Sequence, residues 1–456
     1  MGRVLLLNPP ASGRPLLRDF SCGESAKADY YWAPVDLLVL SGVLAQHHDI
    51  EVLDAVVEGL EPGEALNRAS SYAPETVFSL TAAVSLRADD TFLAQLKART
   101  GARIFGIGDV ASFSPREALH HAPAFDGMVQ NFADPSLVEL AAGVEASVGS
   151  VTLRCDDGVD IRPIRFQTPL SYPLPRHQLF PLARYRMPFT EHRGCTSIIT
   201  AYGCPFKCSF CASGNLPWQL REVDAVLEEL THVASLGVPE VYLRDFTFGP
   251  TRTRARELCR RMTEAKLGLS WSAECRIEVL DPPLLDQMRE AGCEVILCGI
   301  ETGTDEVARR LGKRMLDSTE QILEHARTIG IRTCAHFVMG TPGETETQLK
   351  RTISYARKLP LDYAAFNLYA PRLGTQLREE LIQGGRVNAE DFDGQDVSFE
   401  ANAYAGTDAP RLRWLHRWAV LSFYFRPRQL ARLLTCTPWG TLVRQGSSVV
   451  HGVLGS

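Results

Sequence analysis

Two runs of alternating strand-like and helix-like segments constrain this chain of 456 residues more than any other feature. Such alternation favours parallel strands joined by right-handed crossover helices. In the first run, the strand-like segments are 3–8, 50–55, 76–82, 103–108 and 127–130, and clear helical ones are 34–46 and 88–100. We therefore predict an α/β domain over residues 1–143 with a doubly wound, flavodoxin- or Rossmann-like sheet.

The second run follows a segment of different character. Residues 144–194 are rich in Pro, Arg and aromatic side chains, so we interpret them as a connector that packs across both domains. Six strand-like segments then alternate with helical ones, beginning at 197–202 and ending at 362–369. This pattern predicts a partial (β/α)6 barrel over 195–380, whose site lies at the carboxyl ends of the strands. We expect the last part, 381–456, to be a C-terminal helical segment.

Composition excludes several classes of protein. The chain is 45% hydrophobic and 22% charged, which is ordinary for a globular protein. With 48 basic and 54 acidic residues its net charge is −6, so we expect no nucleic-acid partner. No apolar stretch reaches the roughly 18 residues of a membrane span, and Val4–Leu7 is too short for a signal sequence. We therefore expect a cytoplasmic protein with reduced thiols.

Three of the twelve cysteines form the most specific motif in the sequence. Cys204, Cys208 and Cys211 have C-x3-C-x2-C spacing and directly follow the first strand of the second run. Three thiolates on a [4Fe-4S] cluster leave one iron open for another ligand. The alternative is structural zinc, which normally takes four protein ligands in two separated pairs. We interpret the other, scattered cysteines as small buried apolar residues.

The cysteine motif, with Phe210 before its third cysteine and at the end of a barrel strand, resembles that of the radical S-adenosylmethionine (SAM) superfamily. The resemblance implies a [4Fe-4S] cluster whose open iron binds SAM. It also implies an electron donor such as flavodoxin or ferredoxin, and reductive cleavage of SAM to a 5′-deoxyadenosyl radical. In such chemistry the protein supplies orientation and excludes water.

Four further segments resemble the later strands of that superfamily: VYLRDFTFG, WSAECRIE, CGIETGTDEVARRLGKRM and FVMGTPGETETQ. The resemblance implies SAM contacts for Phe210, Asp245, Arg276, Glu301 and Gly340, with Arg276 on the SAM carboxylate and Glu301 on the ribose hydroxyls. Alternatives stay open. Arg276 and Glu301 can form an internal ion pair, Asp245 can cap the next helix, and His336 is better explained as a satisfied core histidine than as a catalytic group.

The first domain resembles the cobalamin-binding domain of one radical SAM subfamily, through Asn8-Pro9-Pro10 and the P-x2-L-x3-S-G-V-L-A segment that opens the first helix. The resemblance implies cobalamin on the carboxyl ends of the sheet, and Tyr30, Tyr31 and Trp32 near the barrel. The implied contacts are Asn8, Pro9, Leu80, Thr81, Gly106, Gly108 and Gln130. The chain lacks D-x-H-x2-G, which implies cobalamin without a histidine ligand, and the loops GIGDVASFS and VQNFADPS depart from the subfamily pattern.

We therefore expect a cobalamin-dependent radical SAM enzyme that methylates an unactivated carbon of a small molecule or peptide. The alternatives are a radical SAM cyclase, ring-contraction or rearrangement enzyme without methyl transfer, and a non-catalytic metal-binding scaffold. GIGDVA follows the wrong strand for a dinucleotide fingerprint, so nicotinamide is not expected. The segment RLRWLHRWAVLSFYFRPRQLARLL carries six Arg and no acid. We interpret it as a helix that caps the barrel, and less favourably as one that lies on a membrane surface.

Overall fold

The computed structural model describes residues 2–11, 16–19, 23–25, 31–392, 394–396, 404 and 406–436. Tyr30, which we predicted to lie near the domain interface, and residues 437–456 of the predicted C-terminal segment fall outside these ranges.

The first domain contains one sheet of seven strands and a small antiparallel hairpin. Its strands are β1 (Arg3–Asn8), β2 (Leu16–Arg18), β3 (Gly23–Ser25), β4 (Asp49–Asp54), β5 (Thr76–Leu80), β6 (Arg103–Ile107), β7 (Gly127–Val129), β8 (Val151–Cys155) and β9 (Gly158–Ile161). Its helices are α1 (Val35–Leu44), α2 (Ala55–Glu58), α3 (Pro62–Tyr72), α4 (Leu86–Thr100), α5 (Asp109–Phe113), α6 (Pro115–His121) and α7 (Leu137–Ala141). The small hairpin consists of β2 and β3.

The strand order of the large sheet is β4-β1-β5-β6-β7-β8-β9, and the first five of these strands are parallel. All five residues of β5 are buried, as expected for a parallel strand covered by helices on both faces. The chain order reverses between β1 and β5, which makes their carboxyl ends the switch point of a doubly wound sheet. The predicted doubly wound domain is confirmed.

The sheet does not end where the parallel alternation ends. Strands β8 and β9 form an antiparallel hairpin that extends the sheet beyond β7, although residues 144–194 were predicted to be a connector. The signal was Asp156-Asp157-Gly158 between two short apolar segments, because Asp and Gly favour tight turns; Asp156 and Asp157 form the two-residue loop and Gly158 begins β9. The rest of the connector packs Leu170, Phe180 and Tyr185 into a core shared by both domains.

The second domain is an open barrel followed by helices. Its strands are β10 (Cys195–Ile198), β11 (Ala201–Tyr202), β12 (Gln219–Leu220), β13 (Glu240–Leu243), β14 (Ser270–Arg276), β15 (Cys293–Glu301), β16 (Arg332–Met339) and β17 (Tyr363–Leu368). Its helices are α8 (Val223–Ser235), α9 (Arg252–Ala265), α10 (Pro282–Glu290), α11 (Asp305–Arg310), α12 (Thr319–Thr328), α13 (Glu346–Lys358), α14 (Gln376–Gln383), α15 (Ala409–Tyr424) and α16 (Pro427–Cys436).

Six of these strands form one parallel sheet in the order β10-β13-β14-β15-β16-β17, which confirms the predicted partial (β/α)6 barrel. The first barrel strand is shorter than the predicted segment 197–202. It stops at Ile198, and β11 instead pairs antiparallel with β12, on the other side of the cysteines. In the described part of the chain, no helix is long and apolar enough to cross a membrane.

The carboxyl ends of the two sheets face each other. Arg244, which directly follows β13, places its Nη2 2.8 Å from Oδ2 of Asp19, which lies in the β2–β3 hairpin of the first domain. From the loops after β17 and β6, a Cβ added at Gly374 would lie 2.5 Å from the Phe113 ring. Trp32 packs against Tyr242 with ring centroids 5.7 Å apart, so the predicted position of Trp32 beside the barrel is confirmed.

Candidate active site

Residues 203–215, which we call the cysteine loop, connect β11 to the short turn before β12. Gly203 begins the loop with φ +74, and a Cβ there would lie 2.4 Å from the Pro217 carbonyl oxygen. The middle of the loop is fixed by Ser209, whose Oγ donates to the Arg310 carbonyl at 2.9 Å and whose carbonyl accepts from Leu377 N at 3.0 Å. The barrel therefore holds this segment in place although it is irregular.

Cys204, Cys208 and Cys211 are half-buried in this loop and form no disulfide. Among the described residues, no three His, Cys, Asp or Glu side chains are placed to hold a single metal ion. A [4Fe-4S] cluster does not need such convergence, because each protein thiolate binds a different iron. Three free, half-exposed thiols on one fixed loop are a donor set that fits an iron–sulfur cluster.

Cationic side chains lie against the cysteines. Arg276 Nη1 is 2.9 Å from Cys208 Sγ, and its guanidinium stacks 4.1 Å from the Phe206 ring centroid. Burial raises the pKa of the Cys208 thiol to about 11, while Lys313 and Arg276 oppose that rise. Arg276 also pairs with Glu278 at 2.7 Å, so the alternative in which Arg276 pairs with Glu301 is wrong.

Glu301 is held by a lysine that the sequence analysis did not single out. Lys313 Nζ lies 2.7 Å from Glu301 Oε1 and also donates to the Gly299 carbonyl at 2.7 Å, with both side chains almost fully buried. Glu301 itself has φ +71, at an irregularity in the register of β15 with β16. The signal for Lys313 was present in the segment CGIETGTDEVARRLGKRM, twelve residues after the glutamate.

The Asp245 carboxylate accepts hydrogen bonds from other residues of the barrel. Its Oδ1 accepts from the backbone N–H groups of Thr200 at 2.6 Å and Ala201 at 3.0 Å, and its Oδ2 accepts from Thr200 Oγ1 at 2.6 Å. The carboxylate therefore ties the end of β13 to the chain leading into the cysteine loop. These contacts, rather than a cap on the next helix, are its observed role, and a contact with SAM stays a prediction.

Gly340 ends β16 in a turn that depends on a buried glutamate. Gly340 has φ +86, and Glu344 Oε2 accepts its N–H at 2.9 Å and that of Thr341 at 3.1 Å. Burial raises the pKa of Glu344 to about 6, and its Oε1 has no partner among the described residues. The sequence analysis missed Glu344, although it directly follows Gly343 in the segment FVMGTPGETETQ.

The last two residues that the sequence analysis singled out in the barrel are Phe210 and His336. Phe210 packs beside a small apolar cluster that includes Leu311 and Tyr369, so its ring anchors the cysteine loop. His336 Nδ1 lies 3.4 Å from Asn367 Nδ2, but its Nε2 is buried without a partner in the described ranges. The interpretation of His336 as a fully satisfied core histidine is therefore wrong.

The carboxyl ends of the first sheet carry an internal polar network. Arg18 Nη2 pairs with Asp89 Oδ1 at 2.6 Å, and both side chains are fully buried. Arg18 also donates to Asn8 Oδ1 at 3.0 Å and to the Pro9 carbonyl at 2.8 Å, while Asn8 Nδ2 donates to Asp54 Oδ1 at 2.8 Å. The side chain of Asn8 is thus committed within the protein at the switch point.

The remaining residues predicted to bind cobalamin lie near the carboxyl ends of β5, β6 and β7, where most of them contact other parts of the protein. Thr81 Oγ1 is buried beside the Asp89 carboxylate, and a Cβ at Gly108 would lie 1.8 Å from the Thr81 carbonyl oxygen. A Cβ at Gly106 would likewise meet the Met128 side chain. Leu80 is buried in the core, and the backbone N–H of Gln130 donates to the Ser150 carbonyl. The Cβ positions at Gly106 and Gly108 are therefore both occupied by protein atoms, and the cobalamin contacts of all these residues stay predictions.

Comparisons with known proteins agree with this architecture. Residues 198–356 match the family described as the radical SAM superfamily. The chain is 26% identical over 419 residues to "Uncharacterized methyltransferase PH0819" of Pyrococcus horikoshii, covering 88% of this chain and 89% of that protein. It is 24% identical to the anaerobic magnesium-protoporphyrin IX monomethyl ester cyclase of Rubrivivax gelatinosus, covering 79% of this chain and 68% of that protein.

A solved structure shows the same fold across both domains. It is the radical SAM methyltransferase TsrM from Kitasatospora setae with cobalamin and a [4Fe-4S] cluster bound, at a TM-score of 0.67 and 18% identity. The match covers 84% of this chain and 78% of that chain. The predicted architecture is thus found in a known protein.

Most of the barrel, residues 198–356, is therefore similar to the radical SAM superfamily. Enzymes of this class use a [4Fe-4S] cluster and SAM, so the predictions of these two cofactors and of an enzyme are confirmed. The individual site residues stay predictions, now with known surroundings.

Proposed function

We propose that this chain is a cobalamin-dependent radical SAM enzyme that transfers a methyl group to an unactivated carbon of a small molecule or peptide. One observation carries the proposal. The carboxyl ends of a doubly wound sheet face the carboxyl ends of the barrel strands, with the cysteine loop on the barrel side. Ligands of both sheet types bind at these ends, so two cofactors held there would share one space.

Cys204, Cys208 and Cys211 are the proposed ligands of the [4Fe-4S] cluster, which when bound supplies the electron that cleaves SAM. The chain's own contribution is electrostatic. Arg276 donates to the Cys208 sulfur, and Lys313 lies nearby, so both cations favour the thiolate over the thiol. Ser209 and Phe210 hold the loop that carries the ligands.

SAM is proposed to lie across the ends of β14, β15 and β16. The carboxylate of Glu301 keeps one oxygen on Lys313, so its orientation is fixed while it accepts hydroxyl groups. Gly340 is proposed to offer its backbone at the end of β16, while the side where a Cβ would lie is occupied by Leu412 of α15. Arg276 has a second task in this proposal, because its planar guanidinium suits the SAM carboxylate. Asp245 positions the chain that enters the cysteine loop.

Cobalamin, when bound, supplies the methyl group for transfer to carbon. Thr81 and Gly108 mark its proposed site, because they directly follow β5 and β6 at the carboxyl ends of the doubly wound sheet. Pro9, at the end of β1, lies beside them in the fold. Asn8 is proposed to act only through Arg18, because its amide is already bonded on both sides.

A second candidate function comes from the relative of Rubrivivax gelatinosus, which is named as a cyclase. A radical SAM cyclase would use the same cysteines and the same SAM contacts. The two functions differ in the fate of SAM, because methyl transfer produces S-adenosylhomocysteine in addition to 5′-deoxyadenosine.

The test is anaerobic reconstitution of the full chain with iron, sulfide and hydroxocobalamin, followed by reduction in the presence of SAM. We expect retained corrinoid absorbance and formation of S-adenosylhomocysteine that depends on added cobalamin. Thr81→Val should weaken corrinoid retention about tenfold, by loss of a buried hydrogen bond. Its matched control is Thr91→Val on the exposed face of α4, which should bind like the wild type.

The outcomes separate the two candidates. A protein that forms 5′-deoxyadenosine, retains no corrinoid and makes no S-adenosylhomocysteine would rule out methyl transfer and leave the cyclase-type function. A protein that binds iron but never cleaves SAM would overturn both.

A further inference from the structure

Helix α15 has two apolar faces. Leu412, Leu415, Ala419 and Phe423 are buried against the barrel, as expected for a capping helix. The opposite side carries Trp414, Trp418, Leu421 and Phe425, which recur at i, i+4, i+7 and i+11 and so share one face. We call this second set the aromatic stripe.

Three members of the aromatic stripe face outward, whereas Trp418 is partly buried and packs against the barrel core. Trp414 is 50% exposed, Leu421 is 39% exposed and Phe425 is 63% exposed. The stripe is nevertheless ordered, because Trp414 and Trp418 stack with ring centroids 6.1 Å apart and Arg411 lies 4.3 Å above the Trp414 ring. A row of large apolar side chains in water is unfavourable, and contiguous apolar patches mark interaction sites.

The helices that carry and flank the stripe are rich in basic residues. Helix α13 packs beside α15, joined by the Arg411–Glu346 ion pair at 2.6 Å. Together, residues 346–358 and 410–436 contain ten basic residues and one acid, whereas the whole chain has six more acids than bases. Arg413, on α15, is exposed and makes no ion pair among the described residues. These helices thus carry an excess of basic residues, although Lys350 and Arg411 share Glu346 and Arg432 pairs with Asp362.

We propose that the aromatic stripe and its basic surroundings dock the enzyme on an anionic membrane surface. Trp, Leu and Phe would enter the boundary between headgroups and acyl chains, and the Arg and Lys side chains would contact lipid phosphates. A second copy of the chain fits less well, because two such basic surfaces would repel each other. Three exposed apolar side chains also make a small patch for a stable dimer.

The position of α15 places the proposed docking surface next to the barrel mouth. Leu412, on the buried face of α15, contacts Gly340 at the carboxyl end of β16, so α15 begins beside the barrel mouth. A membrane bound along the stripe would lie next to that mouth. The proposal concerns docking alone and does not depend on which reaction the barrel performs.

The test is flotation of the full chain with vesicles of phosphatidylcholine, with or without about 30% phosphatidylglycerol. We expect binding to the anionic vesicles only, and weaker binding as salt increases. The variant Trp414→Ser/Leu421→Ser/Phe425→Ser should lower the partition coefficient at least about tenfold. Arg413→Glu alone should lower it several-fold.

The matched control is Ile164→Ser/Leu179→Ser/Leu236→Ser, which removes three exposed apolar residues elsewhere on the surface. It should bind vesicles like the wild type. Sedimentation equilibrium of both triple variants checks folding and self-association. Absence of wild-type binding to anionic vesicles, or an equal loss in the control, would overturn the proposal. A wild-type dimer that only the stripe variant dissociates, without vesicle binding, would assign the stripe to a second copy.

Discussion

The barrel mouth and the facing edge of the first sheet are both built from the carboxyl ends of parallel strands, but they use their polar groups differently. The barrel leaves three half-buried cysteines free on a fixed loop. The sheet edge consumes its polar groups internally, in a fully buried Arg18–Asp89 pair and in Asn8. A metal cluster needs side-chain ligands that the protein has not already used, whereas a large flat ligand can rest on backbone and apolar surface.

The largest expected effect lies at the barrel mouth. Cys211→Ala should remove one cluster ligand, lower bound iron to background and reduce 5′-deoxyadenosine formation at least about 1000-fold, because the protein would no longer hold the cluster that delivers the electron. Iron analysis and chromatography of the products measure both. Cys155→Ala, an exposed cysteine of the first domain, is the control and should keep full iron content. A Cys211→Ala protein with normal iron would refute the cluster assignment.

At the sheet edge we expect effects on stability. Arg18→Met leaves Asp89 buried without its partner and should lower the free energy of unfolding of the first domain by about 4 kcal/mol. Urea denaturation monitored by circular dichroism measures the change. Adding Asp89→Asn should restore much of it, because the unpaired charge is then removed. An Arg18→Met variant with the wild-type free energy of unfolding would show that the polar network does not stabilise this edge of the sheet.

The close approach of two strand ends can be tested at Gly108. Gly108→Ala places a Cβ 1.8 Å from the Thr81 carbonyl at φ +146, so we expect a loss of about 3 kcal/mol and reduced corrinoid retention. Gly101→Ala is the control, because it also has positive φ but has nothing within 4 Å. It should cost about 1 kcal/mol. Equal costs for the two variants would contradict the proposed packing.

The smallest expected effect is on stability and concerns Glu240, at the amino end of the barrel, opposite the mouth. Burial raises the pKa of Glu240 to about 7, although Thr190 and His192 oppose the shift. Its contribution to stability is therefore present below pH 4.5 and is lost as the pH rises through about 7. Glu240→Gln should make the protein about 2 kcal/mol more stable than the wild type at pH 8, with no gain at pH 4.

Denaturation midpoints at both pH values measure the effect of Glu240→Gln. Glu257→Gln, on the exposed surface of α9, should show no such pH-dependent gain. If the Glu240→Gln variant follows the wild-type pH profile, the Glu240 carboxyl does not titrate in the folded barrel between pH 4 and pH 8.

Much of the fold could be predicted because strand and helix periods are local properties of the chain. The segments 3–8 and 103–108 and the helix at 88–100 agree with the structure to within a residue or two. The β8–β9 hairpin was missed because its strands are short and lie in a segment dominated by Pro and Arg. The helix α11 was missed because only six residues form it.

The sequence by itself determined the two domains and the cysteine motif, because hydrophobic periodicity and the spacing of ligands are written along the chain. Only the tertiary structure decided the partners of the charged groups, since these join residues far apart in sequence. It paired Arg18 with Asp89 and Lys313 with Glu301. It also decided which apolar face of α15 meets the barrel and which is left in water, because that choice depends on the surface against which the helix packs.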